Sequence, residues 1–130
     1  MSPSPLIWIV DDDELFIMIT RNNIRKANSN VATEIFHDGQ EAFTSLEKRI
    51  AGEGICPDVI LLDLNMPVAD GWTFLDQYSK LDENVRAKIT LFICTSSIDP
   101  KDIRRANDYI DVKGFKEKPL STETLNEMIR

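Results

Sequence analysis

The sequence predicts an α/β fold in which a parallel sheet carries helices on both faces. Residues 6–10, 59–62 and 89–94 form apolar runs without polar alternation, which is typical of strands buried on both faces. Segments with helical spacing of apolar residues follow these runs. Alternating strands and helices favour a parallel sheet with right-handed crossovers.

The first two strand–helix units occupy residues 6–50. The run at 6–10 (LIWIV) is rich in strand formers and ends at an acidic triplet. A helix is predicted over 13–27, with Leu15 in its apolar set. A second strand is predicted over 31–36, and the helix over 40–50 follows an Asp-Gly pair that interrupts regular structure.

The third unit is interrupted by residues that favour a tight loop. The run at 59–62 ends at Asp63, and residues 65–71 (NMPVADG) then combine Asn, Pro, Asp and Gly. A helix is predicted over 72–81. A carboxylate between a buried strand and such a loop lies where open α/β sheets bind ligands.

The last two units follow a polar connection at 82–86. The strand at 89–94 leads to a helix over 100–109 that has Pro100 at an early helical position. The strand at 112–115 is short and contains lysine, as expected at a sheet edge. Ser121 begins the final helix.

Composition indicates a single domain and excludes several functional classes. The chain has 130 residues, which predicts one domain spanning 1–130. A formal net charge of −7 argues against direct nucleic-acid binding. No apolar run approaches the roughly 20 residues that span a bilayer. We therefore expect no membrane association. Two cysteines do not make a disulfide framework, so we expect a reducing cytoplasmic location.

Polar residues follow several of the predicted strands at the same edge of the sheet. They are Asp11, Asp12, Asp13, Asp63, Thr95 and Lys118. Each alone could be a helix cap, a turn residue or a solvated charge. Together, carboxylates without a Cys/His cluster suit Mg²⁺, and a carboxylate can attack phosphorus to form an aspartyl phosphate. A lysine ammonium would offset the charge of the phosphoryl oxygens, and a threonine hydroxyl would donate a hydrogen bond to one of them.

Five features occur in chain order that are similar to those of the receiver domains of two-component response regulators. They are the acidic pair Asp11-Asp12, the segment Asp38-Gly39-Gln40-Glu41-Ala42, the motif Asp63-x-x-Met66-Pro67-x-x-Asp70-Gly71, Thr95 at a strand end, and Lys118-Pro119. The chain thus resembles the single-domain, chemotaxis-type form over essentially its whole length.

The resemblance implies a flavodoxin-like, doubly wound sheet of five strands in the order 2-1-3-4-5. It implies that Asp63 is the phosphoacceptor and that Mg²⁺ is bound by Asp12, Asp63 and the backbone carbonyl of Asn65, with Asp11 acting through water. Thr95 and Phe115 would be the switch pair, and Lys118 would pair with the phosphoryl group.

The implied function is a phosphorylation-dependent switch rather than an enzyme. The implied phosphodonor is a sensor histidine kinase or a histidine phosphotransfer protein. An output protein of unknown identity would dock on the last two predicted helices and the fifth strand, a face that carries Lys101, Arg104, Arg105, Lys113 and Lys116.

Two residues depart from the family pattern. Phe115 has no hydroxyl where tyrosine is frequent, so an inward ring needs no polar partner. Lys116 replaces a usually apolar residue, which predicts a weakly packed last strand. Asp13 is an additional acid, which we expect to cap the first helix, and His37 is expected to be an ordinary strand-end residue.

Two competing functions share parts of this pattern. Asp11-x-Asp13 superficially matches the nucleophile motif of haloacid-dehalogenase-like phosphohydrolases, with Thr95 and Lys118 in further roles. That hypothesis leaves the Asp63 motif unexplained, and no acidic pair follows the lysine. A flavin-binding module would need a phosphate loop after the first strand, where the acidic triplet would repel the phosphate.

Overall fold

A computed structural model describes residues 5–66, 70–96 and 98–129, and in it the five strands form one parallel sheet. The order is β2-β1-β3-β4-β5, so the predicted flavodoxin-like fold and strand order are confirmed. The strands are β1 (Leu6–Val10), β2 (Ala32–Phe36), β3 (Val59–Leu62), β4 (Thr90–Thr95) and β5 (Val112–Glu117).

The central strands are buried on both faces, which explains their continuous apolar sequences. In β1, Ile7 and Ile9 belong to one core cluster, whereas Trp8 and Val10 belong to the other. All four residues of β3 are buried and divide between the clusters in the same way. Successive side chains of a strand point to opposite faces, so each face of the sheet needs its own helical layer.

Six helices cover the two faces of the sheet in the described part of the chain. They are α1 (Glu14–Ala27), α2 (Gly39–Ile50), α3 (Gly71–Tyr78), α4 (Glu83–Arg86), α5 (Pro100–Ala106) and α6 (Thr122–Ile129). The buried residues of α1 and α6 pack on the Ile7/Ile9 face, and those of α2, α3 and α5 pack on the Trp8/Val10 face.

Aspartate begins five of these helices. Its carboxylate accepts hydrogen bonds from backbone amides of the first turn, which would otherwise lack partners. The capping residues are Asp13, Asp38, Asp70, Asp82 and Asp99. In α6 the Ser121 hydroxyl accepts from the Thr124 amide at 3.0 Å. The predicted capping role of Asp13 is therefore confirmed.

Several local predictions were wrong. The polar connection at 82–86 contains α4, which is capped by Asp82 and whose last residue, Arg86, forms an ion pair with Asp111. Leu15 is 60% exposed, whereas the adjacent Phe16 and Ile17 are buried. Helical spacing alone could not decide which of these neighbouring apolar residues faces the sheet. Pro67 and Ser97, both assigned to loops, lie outside the described residues.

The last strand, β5, is an edge strand that pairs only with β4 among the described strands. It extends to Glu117, two residues beyond its predicted end. None of its six described residues is fully buried, as expected for a weakly packed strand that contains Lys113 and Lys116. In the described part of the chain, every helix is too short or too polar to cross a bilayer.

Candidate functional site

The backbone brings three strand ends to one edge of the sheet. The Asp11 amide donates to the Phe36 carbonyl at 2.9 Å, and the Asp63 amide donates to the Val10 carbonyl at 2.9 Å. Beyond β5, the Lys118 amide donates to the Thr95 carbonyl at 2.7 Å. These ladder bonds place the side chains that follow β1, β3 and β5 in one crevice.

Three carboxylates meet in this crevice. Asp11, Asp12 and Asp63 each present an oxygen, and these oxygens all lie within 4.8 Å of one another. Asp11 and Asp63 are 1% and 6% exposed, whereas Asp12 is open to solvent. The sequence predicted that these acids converge, and the structure places them together.

Lys118 provides a positive charge between the two buried acids. Its Nζ lies 2.7 Å from Asp11 Oδ2 and 3.7 Å from Asp63 Oδ2. The ammonium also lies 4.4 Å from the centre of the Phe16 ring, a cation–π arrangement. Sequence reasoning missed both the Asp11–Lys118 pair and the Phe16 contact, because the strand-end pattern does not specify how side chains meet.

Burial makes ionisation of the acids unfavourable. The pKa of Asp63 is raised to about 6, chiefly by burial and also by the neighbouring charge of Asp11, against the opposing effect of Lys118. The pKa of Asp11 is also raised, chiefly by burial and against the effect of its bond to Lys118. One lysine therefore does not balance the negative charge of the cluster.

The donor set fits a hard divalent cation. Oxygen ligands that include one or two carboxylates and leave space for water are typical of Mg²⁺ sites. Asp12 and Asp63 belong to the cluster, and the Asn65 amide donates to Asp63 Oδ1 at 3.4 Å. That bond holds residue 65 beside the site, and the roles of its carbonyl and of Asp11 in metal binding stay predictions.

The two predicted switch residues lie on the last two strands. Thr95 is 2% exposed at the end of β4. Phe115 in β5 pairs with Ile93 in β4 and is half-buried against the Trp8/Val10 face of the core. His37 lies apart from the acidic cluster, and its Nε2 is 2.8 Å from Glu14 Oε1.

In the phosphohydrolase alternative, Asp13 would be one of the two catalytic acids, but its carboxylate caps α1 instead. Asp13 Oδ1 accepts from the Leu15 and Phe16 amides at 3.1 and 3.2 Å, so this carboxylate is turned toward α1. Asp11 in turn accepts from the Asp13 amide at 2.9 Å. This geometry does not favour a nucleophile and acid pair made by Asp11 and Asp13.

A family model described as the response regulator receiver domain matches residues 7–130. The chain belongs to this family. It is therefore a signalling module of two-component systems.

Curated relatives agree with this assignment. The receiver is 31% identical over 124 residues to the probable methanogenesis regulatory protein FilR2 of Methanothrix harundinacea, covering 95% of this chain and 78% of that one. It is 32% identical over 115 residues to the transcriptional regulatory protein PrrA of Mycobacterium bovis, covering 86% of this chain. The match spans only 45% of the length of PrrA.

Solved structures of response regulators share the receiver fold. A two-component response regulator from Cytophaga hutchinsonii has a TM-score of 0.86 at 25% identity, with 98% of this chain and 96% of that chain covered. A receiver protein from Dyadobacter fermentans has a TM-score of 0.80 at 32% identity, with coverage of 95% and 94%. The phosphorylated cyanobacterial phytochrome response regulator RcpA has a TM-score of 0.78 at 25% identity, with coverage of 96% and 88%.

The adjacent acids Asp12 and Asp13 should differ in their effect on metal affinity. We expect Asp12→Ala to weaken Mg²⁺ binding at least tenfold, or about 1.4 kcal/mol, because Asp12 belongs to the cluster. Asp13→Ala should leave the affinity within about threefold and lower stability by about 1 kcal/mol through loss of the cap. Calorimetric Mg²⁺ titration and thermal unfolding measure the two effects, and the opposite ranking of affinities would contradict the assignment.

Proposed function

We propose that this receiver domain accepts a phosphoryl group on Asp63 from a phosphohistidine and thereby changes its partner-binding face. The observation that carries the proposal is the placement of Asp63. This carboxylate is almost buried at the end of β3, beside Asp11 and Asp12, with the Lys118 ammonium 3.7 Å away. The donor would be a sensor histidine kinase or a histidine phosphotransfer protein.

In the proposed step, a carboxylate oxygen of Asp63 bonds to phosphorus as the bond between phosphorus and the histidine nitrogen breaks. Lys118 pairs with an equatorial oxygen and offsets its charge. Bound Mg²⁺, held by Asp12, Asp63 and the Asn65 carbonyl with Asp11 through water, would supply further positive charge. Ionised Asp63 is the reactive form, so neutralisation of the cluster favours the reaction.

The proposed switch passes through Thr95. Its hydroxyl would donate to a phosphoryl oxygen, a charge-assisted hydrogen bond of a class that contributes roughly 1.5–3 kcal/mol. That energy is enough to shift a two-state element without remaking the fold. Phe115 would fill the space behind Thr95, and the change would reach the output face formed by α5, β5 and α6.

The proposal extends to the whole chain. We propose that residues 1–130 act as one cytoplasmic receiver domain, with self-phosphorylation from small donors and self-dephosphorylation as its only chemistry. The neighbour RcpA was crystallised in phosphorylated form, which supports phosphorylation of a protein with this fold. For the output protein, the proposal gives only the face of the receiver on which it would dock.

Acetyl phosphate treatment with Mg²⁺ tests the proposal. Mass spectrometry should find one added phosphoryl group on the wild type and none on Asp63→Asn. The matched control is Asp108→Asn, which removes an exposed acid outside the crevice and should be phosphorylated like the wild type. Equal phosphorylation of Asp63→Asn at the wild-type rate would refute the assignment.

A further inference from the structure

Helix α5 is weakly attached to the rest of the domain. Among its seven residues, all of them described, Ala106 is the only buried one. A helix with so little buried surface shifts at low energetic cost. The few side chains that hold it besides Ala106 therefore have a large influence on its position.

Those side chains form a compact contact with α3. The Arg105 guanidinium lies 4.2 Å from the centre of the Trp72 ring. The Tyr109 ring, just after α5, lies 6.0 Å from the same ring, and its hydroxyl donates to the Asp76 carboxylate on α3. That bond raises the pKa of Tyr109, so the hydroxyl remains a donor through neutral pH.

Trp72 is also connected to the phosphoacceptor by a very short path. The preceding residue, Gly71, donates its amide to the Leu64 carbonyl at 3.1 Å. A Cβ built on Gly71 would lie 2.4 Å from the Asp63 carbonyl oxygen. The backbone that carries Asp63 is therefore in direct contact with the start of α3, where Trp72 lies.

We propose that the contact of Trp72 with Arg105, supported by Tyr109 and Asp76, is a latch that holds α5 against α3 and opposes phosphorylation of Asp63. This inference rests on the proposed function, because it concerns the regulation of the same site. It adds a second coupling route, through α3, to the proposed route through Thr95.

Chain connectivity determines the direction of the effect. Movement of Thr95 toward a phosphoryl group on Asp63 pulls the segment that begins α5, since Pro100 follows Thr95 by five residues. The latch holds the opposite end of α5, at Arg105 and Tyr109. It therefore resists the same displacement, and its removal makes the phosphorylated arrangement easier to reach.

The latch also changes the expected output surface. Arg105 belonged to the basic face predicted as a docking surface, but its guanidinium is stacked on Trp72. Arg105, like Lys101 and Arg104 on the same helix, is nevertheless exposed. Opening of the latch would free the exposed Arg105 guanidinium from the Trp72 ring, so that an acidic partner would meet it in a new orientation.

Titration with beryllofluoride and Mg²⁺, an acyl-phosphate mimic, tests the latch by calorimetry. Arg105→Gln should bind about two- to fivefold more tightly than the wild type, as expected for loss of one exposed cation–π contact. Tyr109→Phe should bind at least about twofold more tightly through loss of the hydroxyl bond. Arg104→Gln is the matched control, because it makes the same charge change on the same helix. Its affinity for beryllofluoride should stay within about 1.5-fold of the wild-type affinity.

A spectroscopic readout separates a latch from a general charge effect. Trp72 fluorescence should change when beryllofluoride binds to the wild type and to Arg104→Gln, and the change should be largely absent in Arg105→Gln. Unchanged or weaker beryllofluoride binding by Arg105→Gln would overturn the latch. Failure of the wild type to bind, or equal binding by Asp63→Asn, would instead refute the proposed function and the latch with it.

Discussion

At pH 7 and without divalent cations, the Asp63→Asn variant should be more stable than the wild type by about 2 to 3 kcal/mol. The pKa of Asp63 is raised from its ordinary value of 3.8 to about 6, chiefly by burial and also by the charge of Asp11, and each pKa unit corresponds to about 1.4 kcal/mol. The ionised carboxylate therefore destabilises the fold, and asparagine removes its charge while keeping its shape.

The pH dependence of this difference follows from the direction of the shift. Because the folded-state pKa is raised, the penalty is fully present above about pH 6 and declines as the pH falls, disappearing below the ordinary value of 3.8. Denaturant unfolding at pH 7, 5 and 4 should thus show a narrowing gap between variant and wild type. Added Mg²⁺ should also narrow the gap, because it stabilises the wild type more.

The exposed acid Asp108 provides the control for general charge effects. Asp108→Asn removes the same charge from an open surface position, and its stability should stay within about 0.5 kcal/mol of the wild type at each pH. A gap between Asp63→Asn and wild type that widens on acidification, or lower stability of the variant at pH 7, would contradict the expected charge imbalance.

Substitution of Gly71 by alanine should cause the largest loss of stability, about 3 kcal/mol. The added Cβ would lie 2.4 Å from the Asp63 carbonyl oxygen and 2.9 Å from the Leu64 Cα. Both are backbone atoms of the segment that follows β3, so neither can move without displacing the phosphoacceptor. The Gly71→Ala variant should also be phosphorylated by acetyl phosphate more slowly than the wild type.

Gly52 is a suitable comparison, because its constraint is conformational rather than steric. Its φ is +99°, and nothing lies within 4 Å of an added Cβ. Gly52→Ala should cost about 1 kcal/mol through backbone strain and leave phosphorylation unchanged. Denaturant unfolding of both variants tests the difference. A Gly71→Ala variant as stable as Gly52→Ala would show that the segment after β3 moves to accommodate the added Cβ at little cost in free energy.

Much of the fold follows from local sequence pattern. A strand buried on both faces must be apolar at successive positions, so the runs at 6–10 and 59–62 identify central strands without further information. Aspartate marks the start of a helix because its carboxylate accepts from the free amides of the first turn. Proline does so because an amide in the first turn has no intrahelical partner, so its absence costs nothing. These effects act within a few residues, which is why the strand–helix alternation was predictable.

Two helix predictions failed because the deciding contacts are distant in sequence. The four residues of α4 were interpreted as a polar connection. The side chain of Arg86, the last of the four, meets Asp111 only after folding, at a distance of 3.0 Å. In α1, Leu15 and Phe16 are both apolar, and only Phe16 is buried. The rotation of a helix on the sheet is determined by all its packing partners at once.

The sequence by itself determined the sheet, the acidic strand ends and the motif around Asp63, because strand ends lie at one edge of any parallel sheet. Only the tertiary structure decided which aspartates cap helices and which face one another, since both kinds follow strands or loops in similar sequence surroundings. It also decided that Lys118 lies between Asp11 and Asp63 and that Arg105 stacks on Trp72. Such contacts join residues from different elements, and their geometry depends on side-chain direction and helix placement, which no local pattern encodes.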